Sequence, residues 1–239
     1  MKHVIFGGDG FVGRHLAKKL IEEGEEVLVA DVVKSDLAIY DKCAFIRTDV
    51  TDAEQVNAVD IQADDMVYNM SAKMLSPIMK RAERYDFFWP VNYYGAKNIV
   101  EKVAASDCSS YVQFTTDMVY GHTVQDPQDE THPVAPIGEY GASKWRTEEM
   151  CQEWRDRGMN ISIFRPRLII GPGRLGILGK LFKLIDYSLP VPMIGSGKVP
   201  YQFISVYDCA EASYLAWKKG VPNEAFNLGS SNPPSVREL

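Results

Sequence analysis

Lys2-His3-Val4-Ile5-Phe6-Gly7-Gly8-Asp9-Gly10-Phe11-Val12-Gly13-Arg14-His15-Leu16-Ala17-Lys18-Lys19-Leu20 opens with an apolar run, crosses a glycine-rich turn and resumes with Leu16, Ala17 and Leu20 at helical spacing. That order reads as a strand, a tight loop and a helix. Glycines at 7, 8 and 10 leave no side chain between the backbone and a bound pyrophosphate, Phe11 and Val12 complete the loop, and Gly13 lets the helix pack close to the strand. The free N–H groups and positive dipole end of the helix then face the anion.

Glycine-rich turns are common, and this one gains meaning from an acid at the right distance beyond it. Glu25 to Ala30 reads as a second strand, with Asp31 at its end. A carboxylate there accepts hydrogen bonds from both ribose hydroxyls of a dinucleotide and repels a 2′-phosphate, so the expected cofactor is NAD. Lys34 is the nearby cation that could blur that preference.

With 239 residues, 46% of them hydrophobic, the chain can form one domain, or one domain with a small lobe. Its net charge of -6 speaks against a nucleic-acid surface or a basic membrane patch. Cys43, Cys108, Cys151 and Cys209 show neither close pairing nor metal-ligand spacing, so they read as small buried hydrophobes in a reducing cytoplasm, and no metal is expected. No apolar run approaches membrane-spanning length.

Further along, Cys43 to Arg47 reads as a third strand, followed by Asp49-Val50 and a short helix that Thr51 or Asp52 caps. Asp49 lies where an adenine amino group could be met, or it is an ordinary turn acid. Met66 to Asn69 is a fourth strand, and Ser71-Ala72 at its end are small enough for a cofactor to pass over them. A helical stretch runs from Asp86, with Pro90 marking its first turn or a kink and with Asn92 and Gly95 on one face. Tyr111 to Thr116 is a fifth strand, Tyr140 to Trp154 a helix, and Ile161 to Phe164 a sixth strand. The alternation implies an α/β fold, a Rossmann-type doubly wound parallel sheet over residues 1–165. Beyond Arg165-Pro166, a turn at Gly171-Pro172-Gly173, a helix over Leu178 to Leu189, a short strand at Val191 to Ile194, a helix over Val206 to Lys218 and a strand at Ala225 to Leu228 suggest a small C-terminal substrate lobe over residues 166–239. Some of its segments are expected to return to the sheet, and Ser235 to Leu239 reads as the first turn of a further helix.

The chemistry concentrates on Thr116, Tyr140 and Lys144. A phenol with a pKa of about 10 is a poor base at neutral pH, but an ammonium one helical turn away stabilises the phenolate. Tyr140 and Lys144 are four residues apart, and Thr116 at the strand end can hold the substrate oxygen while Tyr140 moves its proton.

These motifs resemble the extended short-chain dehydrogenase/reductases, the family of nucleotide-sugar epimerases and dehydratases. The resemblance rests on Gly7 to Gly13, Asp31, Asp49-Val50, Asn92 to Gly95, Thr115 to Gly121, Tyr140-Gly141-Ala142-Ser143-Lys144, Arg165-Pro166, and Gly195-Ser196-Gly197 with Asp208. It implies that Thr116 and Tyr140 act on a substrate hydroxyl, that Lys144 also holds the nicotinamide ribose, that Asp49 meets adenine and that Asn92 supports the active site. Met118 departs from the pattern, since the 4,6-dehydratases carry a glutamate there, and Tyr201 stands where many nucleotide-sugar enzymes place a diphosphate-binding arginine, a charge that Arg167, Arg174 or Lys198 could supply. The expected activity is that of an NAD-dependent epimerase of a nucleotide sugar. Alternatives are a dehydrogenase or reductase of a secondary alcohol, as in the sterol-type relatives, and a catalytically silent NAD-binding regulator. The resemblance also implies a homodimer built on the helices near Asp86 to Ala105 and Tyr140 to Trp154.

Overall fold

A computed structural model of the protein describes residues 1–74, 79–174, 177–190, 196–235 and 237–238. In chain order the strands are β1 (His3–Phe6), β2 (Val27–Asp31), β3 (Ala44–Arg47), β4 (Met66–Asn69), β5 (Ser110–Phe114), β6 (Asn160–Pro166), β7 (Leu168–Ile170), β8 (Phe203–Ser205) and β9 (Ala225–Leu228). The helices are α1 (Gly13–Glu22), α2 (Ala53–Asn57), α3 (Arg84–Trp89), α4 (Ala96–Ala105), α5 (Gly138–Arg155), α6 (Ile177–Asp186) and α7 (Val206–Lys218).

Seven parallel strands form one sheet in the order β3-β2-β1-β4-β5-β6-β9. His3 pairs with Val27 on one side and with Met66 on the other, so the winding reverses between β1 and β4. A crevice opens at such a reversal, beyond the carboxyl ends of the strands. The apolar run of β1 is buried on both faces. Val4 and Phe6 join a core with Ile99, Val103, Tyr111, Met150 and Ile161, while Ile5 joins Leu16, Leu20, Val29, Val112 and Cys209 on the opposite face. Cys108, Cys151 and Cys209 are buried and unpaired, and burial pushes the Cys151 and Cys209 thiols up to about 12.

Two local solutions shape the site. Residues 84–105 run helically, and the chain passes Pro90 through a π-helical turn, Pro90–Gly95. Proline lacks an N–H and crowds the preceding turn, and a widened turn absorbs both. Pro90 opens that π-helical turn, as the first-turn reading expected, and Asn92 within it is buried, its carbonyl accepting from Thr147 Oγ1 at 2.8 Å. Asp52 caps α2 by accepting from the N–H groups of Glu54 and Gln55.

After β6 the chain makes a small two-stranded parallel sheet from β7 and β8, which sequence periodicity did not reveal. α7 then packs on α1, joined by Lys19–Glu211 at 3.2 Å and Tyr214–Glu23 at 3.2 Å, and β9 returns to the main sheet beside β6. The strand expected at Val191 to Ile194 and the first glycine of the Gly195-Ser196-Gly197 turn lie outside the described residues. Among the described residues no helix is long and apolar enough to cross a membrane, and no group of three or more His, Cys, Asp or Glu is placed to hold a metal.

Candidate active site

A cleft of about 1320 Å³ opens over the carboxyl ends of the strands. Gly7, Gly10, Phe11, Val12, Asp31, Asp49, Val50, Ser71, Thr116, Tyr140 and Lys144 all line it. Gly13 and Asn92 do not, because both sit behind its wall.

The glycine loop forms a cradle that side chains would fill. A Cβ on Gly13 would lie 2.3 Å from the Gly7 carbonyl oxygen, and one on Gly7, whose φ is +73°, would lie 2.7 Å from the Ser71 nitrogen. Helix α1 can therefore rest on the turn and direct its first N–H groups into the cleft. Asp31 is half-buried and accepts from the backbone of Asp9 at 3.0 Å and of Val33 at 3.2 Å, while burial holds its carboxyl above the ordinary value. Asp49 Oδ1 accepts from Thr51 N and Oγ1, so this acid closes a local turn while facing the cleft. These features fit a dinucleotide, with the pyrophosphate on the loop and the adenosine ribose at Asp31.

Asn92 is 1% exposed. Its Oδ1 accepts from Lys73 N at 2.8 Å, and its Nδ2 donates to Lys73 O at 3.1 Å and to Ser143 Oγ at 3.3 Å. It thus pins the strand-end segment that carries Ser71 to the helix that carries Tyr140 and Lys144. Mid-helix asparagines usually face solvent, and the π-helical turn is what sends this one inward.

Thr116 follows β5, and its hydroxyl accepts from Met118 N and donates to Asp117 Oδ1, both at 3.2 Å. Burial pushes the Tyr140 phenol up to about 12, against the influence of the adjoining Thr116 hydroxyl and the Arg174 guanidinium. Lys144 is 2% exposed and donates to the Phe114 carbonyl at 3.2 Å. Burial pulls it down to about 8, against the attraction of Glu148. Asp117 is ion-paired with Arg167. Among the described residues, Asp31, Asp49 and Asp117 are the only acids lining the cleft, and a thioether occupies position 118.

Glu148, behind the cleft wall, escaped the sequence reading, whereas Arg174, Arg167 and Tyr201 were among its candidates. Glu148, 3% exposed, accepts from Thr115 Oγ1 at 2.6 Å and from Arg165 Nε and Nη2 at 3.1 and 2.6 Å, and Arg165 reaches the Tyr120 hydroxyl at 2.6 Å. Its place one turn beyond Lys144 was the available signal. Arg174 is half-buried in the cleft wall with its guanidinium 5.8 Å from the Phe11 ring centroid. Tyr201 and Arg167 also line the cleft, whereas Lys198 does not.

Comparison with known proteins agrees with this geometry. Residues 3–229 match the NAD dependent epimerase/dehydratase family. An uncharacterized protein, y4nG, of Sinorhizobium fredii is 29% identical over 99% of this chain, which spans 58% of that protein's length. A putative UDP-glucose 4-epimerase of Methanocaldococcus jannaschii is 28% identical over 99% of this chain and 79% of its own. The crystal structure of UDP-glucose 4-epimerase from Thermotoga maritima with UDP-glucose superposes with a TM-score of 0.86 at 26% identity, covering 100% of this chain and 80% of that one. With the glycine cradle, the acid ending β2 and these matches together, the chain belongs to the NAD dependent epimerase/dehydratase family, and its cofactor is NAD.

Proposed function

We propose that the protein is an epimerase of a nucleotide sugar, working by transient oxidation of a ring hydroxyl to a ketone. The observation that carries this reading is the convergence of Thr116, Tyr140 and Lys144 in the cofactor cleft, with Met118 where water elimination would need an acid. Thr116 holds the substrate hydroxyl, and Tyr140 removes its proton as the ketone forms and returns it afterwards. Lys144, one turn along α5, supplies the positive charge that makes the phenolate accessible. A bound NAD would supply the acceptor and donor of the hydride, while Thr116 and Tyr140 hold and deprotonate the hydroxyl of the reacting carbon. Elimination of water would need both an acid for the leaving hydroxyl and a base for the carbon-bound proton, and a thioether is neither. Asp117 is committed to Arg167, which supports inversion over dehydration. Tyr140→Phe should lower turnover by about 10²-fold or more while NAD affinity changes little, because only the transferred proton is deleted. Near-normal turnover by that variant in a coupled epimerase assay, with NAD titrated in parallel, would remove Tyr140 from this role.

A further inference from the structure

Asp9 stands in the glycine loop at a position where cradling a phosphate requires no side chain. Its Oδ1 accepts from Ser35 Oγ at 2.6 Å and from the Tyr40 hydroxyl at 2.5 Å, and its backbone N–H donates to Asp31 Oδ2 at 3.0 Å. One residue thus latches together the cofactor loop, the end of β2 and the 3-10 helix Ala38–Asp41. Burial, then the Asp9 carboxylate, hold the Tyr40 phenol protonated well above its ordinary value, so it remains a donor to Asp9 throughout the neutral range. Lys34, the cation that could have welcomed a 2′-phosphate, lies over rings, with Nζ 5.2 Å from the Tyr40 centroid and 5.5 Å from that of Phe45. The Tyr40 ring meets Phe45 edge to face at 5.5 Å, which seats the turn on β3.

A ribose whose hydroxyls are held by Asp31 would lie near a second acid, because the Asp9 N–H touches Asp31 Oδ2 at 3.0 Å and the Asp9 charge acts on the Asp31 carboxyl. We propose that Asp9, locked by Ser35 and Tyr40, is a second determinant of NAD over NADP, adding its charge to that of Asp31 and fixing the loop that walls the adenosine side. This selectivity belongs to the cofactor half of the cleft and stands whether or not the substrate is a nucleotide sugar.

Titration calorimetry with NAD and with NADP tests it directly, without any substrate. Asp9→Asn keeps an acceptor for both hydroxyls and removes the charge. The ratio of the NADP Kd to the NAD Kd should fall by about tenfold, with NAD affinity kept within about threefold. Asp31→Asn should lower the ratio separately, and the double variant should lower it further than either. Tyr40→Phe with Ser35→Ala, which frees the loop but keeps the charge, should weaken both cofactors together and leave the ratio unchanged. Asp9→Ser serves as the second charge-removing variant should circular dichroism show that Asp9→Asn does not fold. A ratio within about threefold of the wild-type value in the folded charge-removing variant overturns the proposal, as does a fall that comes only from lost NAD affinity.

Discussion

Lys144 titrates at about 8 in the folded protein because burial disfavours its charge, with Glu148 opposing, against an ordinary value of 10.5. Between those two values the unfolded chain holds a proton that the folded chain has released, so this group makes stability rise with pH across that window. Below it the full cost of burying the ammonium is borne. Lys144→Met should therefore be more stable than the wild type at pH 7, by about 1–3 kcal/mol, with the difference shrinking as pH climbs from 8 towards 10.5. Urea titrations at pH 7 and pH 10 measure it, and turnover should be lost in the same variant. The Phe114 carbonyl keeps a donor in Gln113 Nε2 at 2.8 Å, so no orphaned acceptor masks the effect. Tyr140 and Lys144 were legible in the sequence because helical spacing alone puts them on one face. Glu148 and Asp9 were not, since what each does depends on partners that only the folded chain supplies, Arg165 from β6 and Tyr40 from the turn after β2.

Between strands and helices, close approach is what the glycines protect. Gly13→Ala would put a methyl 2.3 Å from the Gly7 oxygen and 2.6 Å from Gly8 Cα, both rigid backbone atoms. Helix α1 would have to lift off the turn, costing about 1–3 kcal/mol or more, and NAD affinity should fall with it. Gly24, with φ +83° and open space around it, offers a comparison in which only backbone strain acts, so Gly24→Ala should leave NAD binding intact. Thermal melts paired with cofactor titrations separate the two. The buried Glu148–Arg165 pair, 2.6 Å at its shortest, should likewise fail asymmetrically. Glu148→Ala strands a guanidinium and should cost about 3–5 kcal/mol, whereas Glu148→Met with Arg165→Met should recover most of that loss. The parallel alternation was legible because strands covered on both faces read as continuous apolar runs. The β7–β8 sheet and the π-helical turn were not, the first because three-residue strands carry no period and the second because proline signals a break without specifying its form.

For the assembled protein, we propose that α3 to α4 and α5 form the contact of a homodimer. Tyr85 and Tyr94 are 45% and 46% exposed and their hydroxyls lie 3.1 Å apart, with Trp89 stacked on Tyr85 at 5.0 Å. On the same elements Phe88 is fully buried with its ring against Tyr140, and Trp154 packs against the core. Tyr85→Asp with Tyr94→Asp should yield a folded monomer by light scattering at micromolar concentration, and a wild-type monomer there would remove the interface.

Redox-neutral inversion at a hydroxyl-bearing carbon is the reaction proposed for the cleft, and isotope tracing at that carbon reads it without ambiguity. UDP-glucose, UDP-glucuronate and dTDP-glucose, each deuterated at the hydroxyl-bearing ring carbons, would be incubated with the NAD-loaded protein and the products read by mass spectrometry and NMR. At least one should return inverted at a labelled carbon with its mass unchanged and its deuterium retained, and no NADH absorbance should accumulate. A product lighter by one water, NADH rising in step with product, or no turnover of any of the three would contradict this reaction.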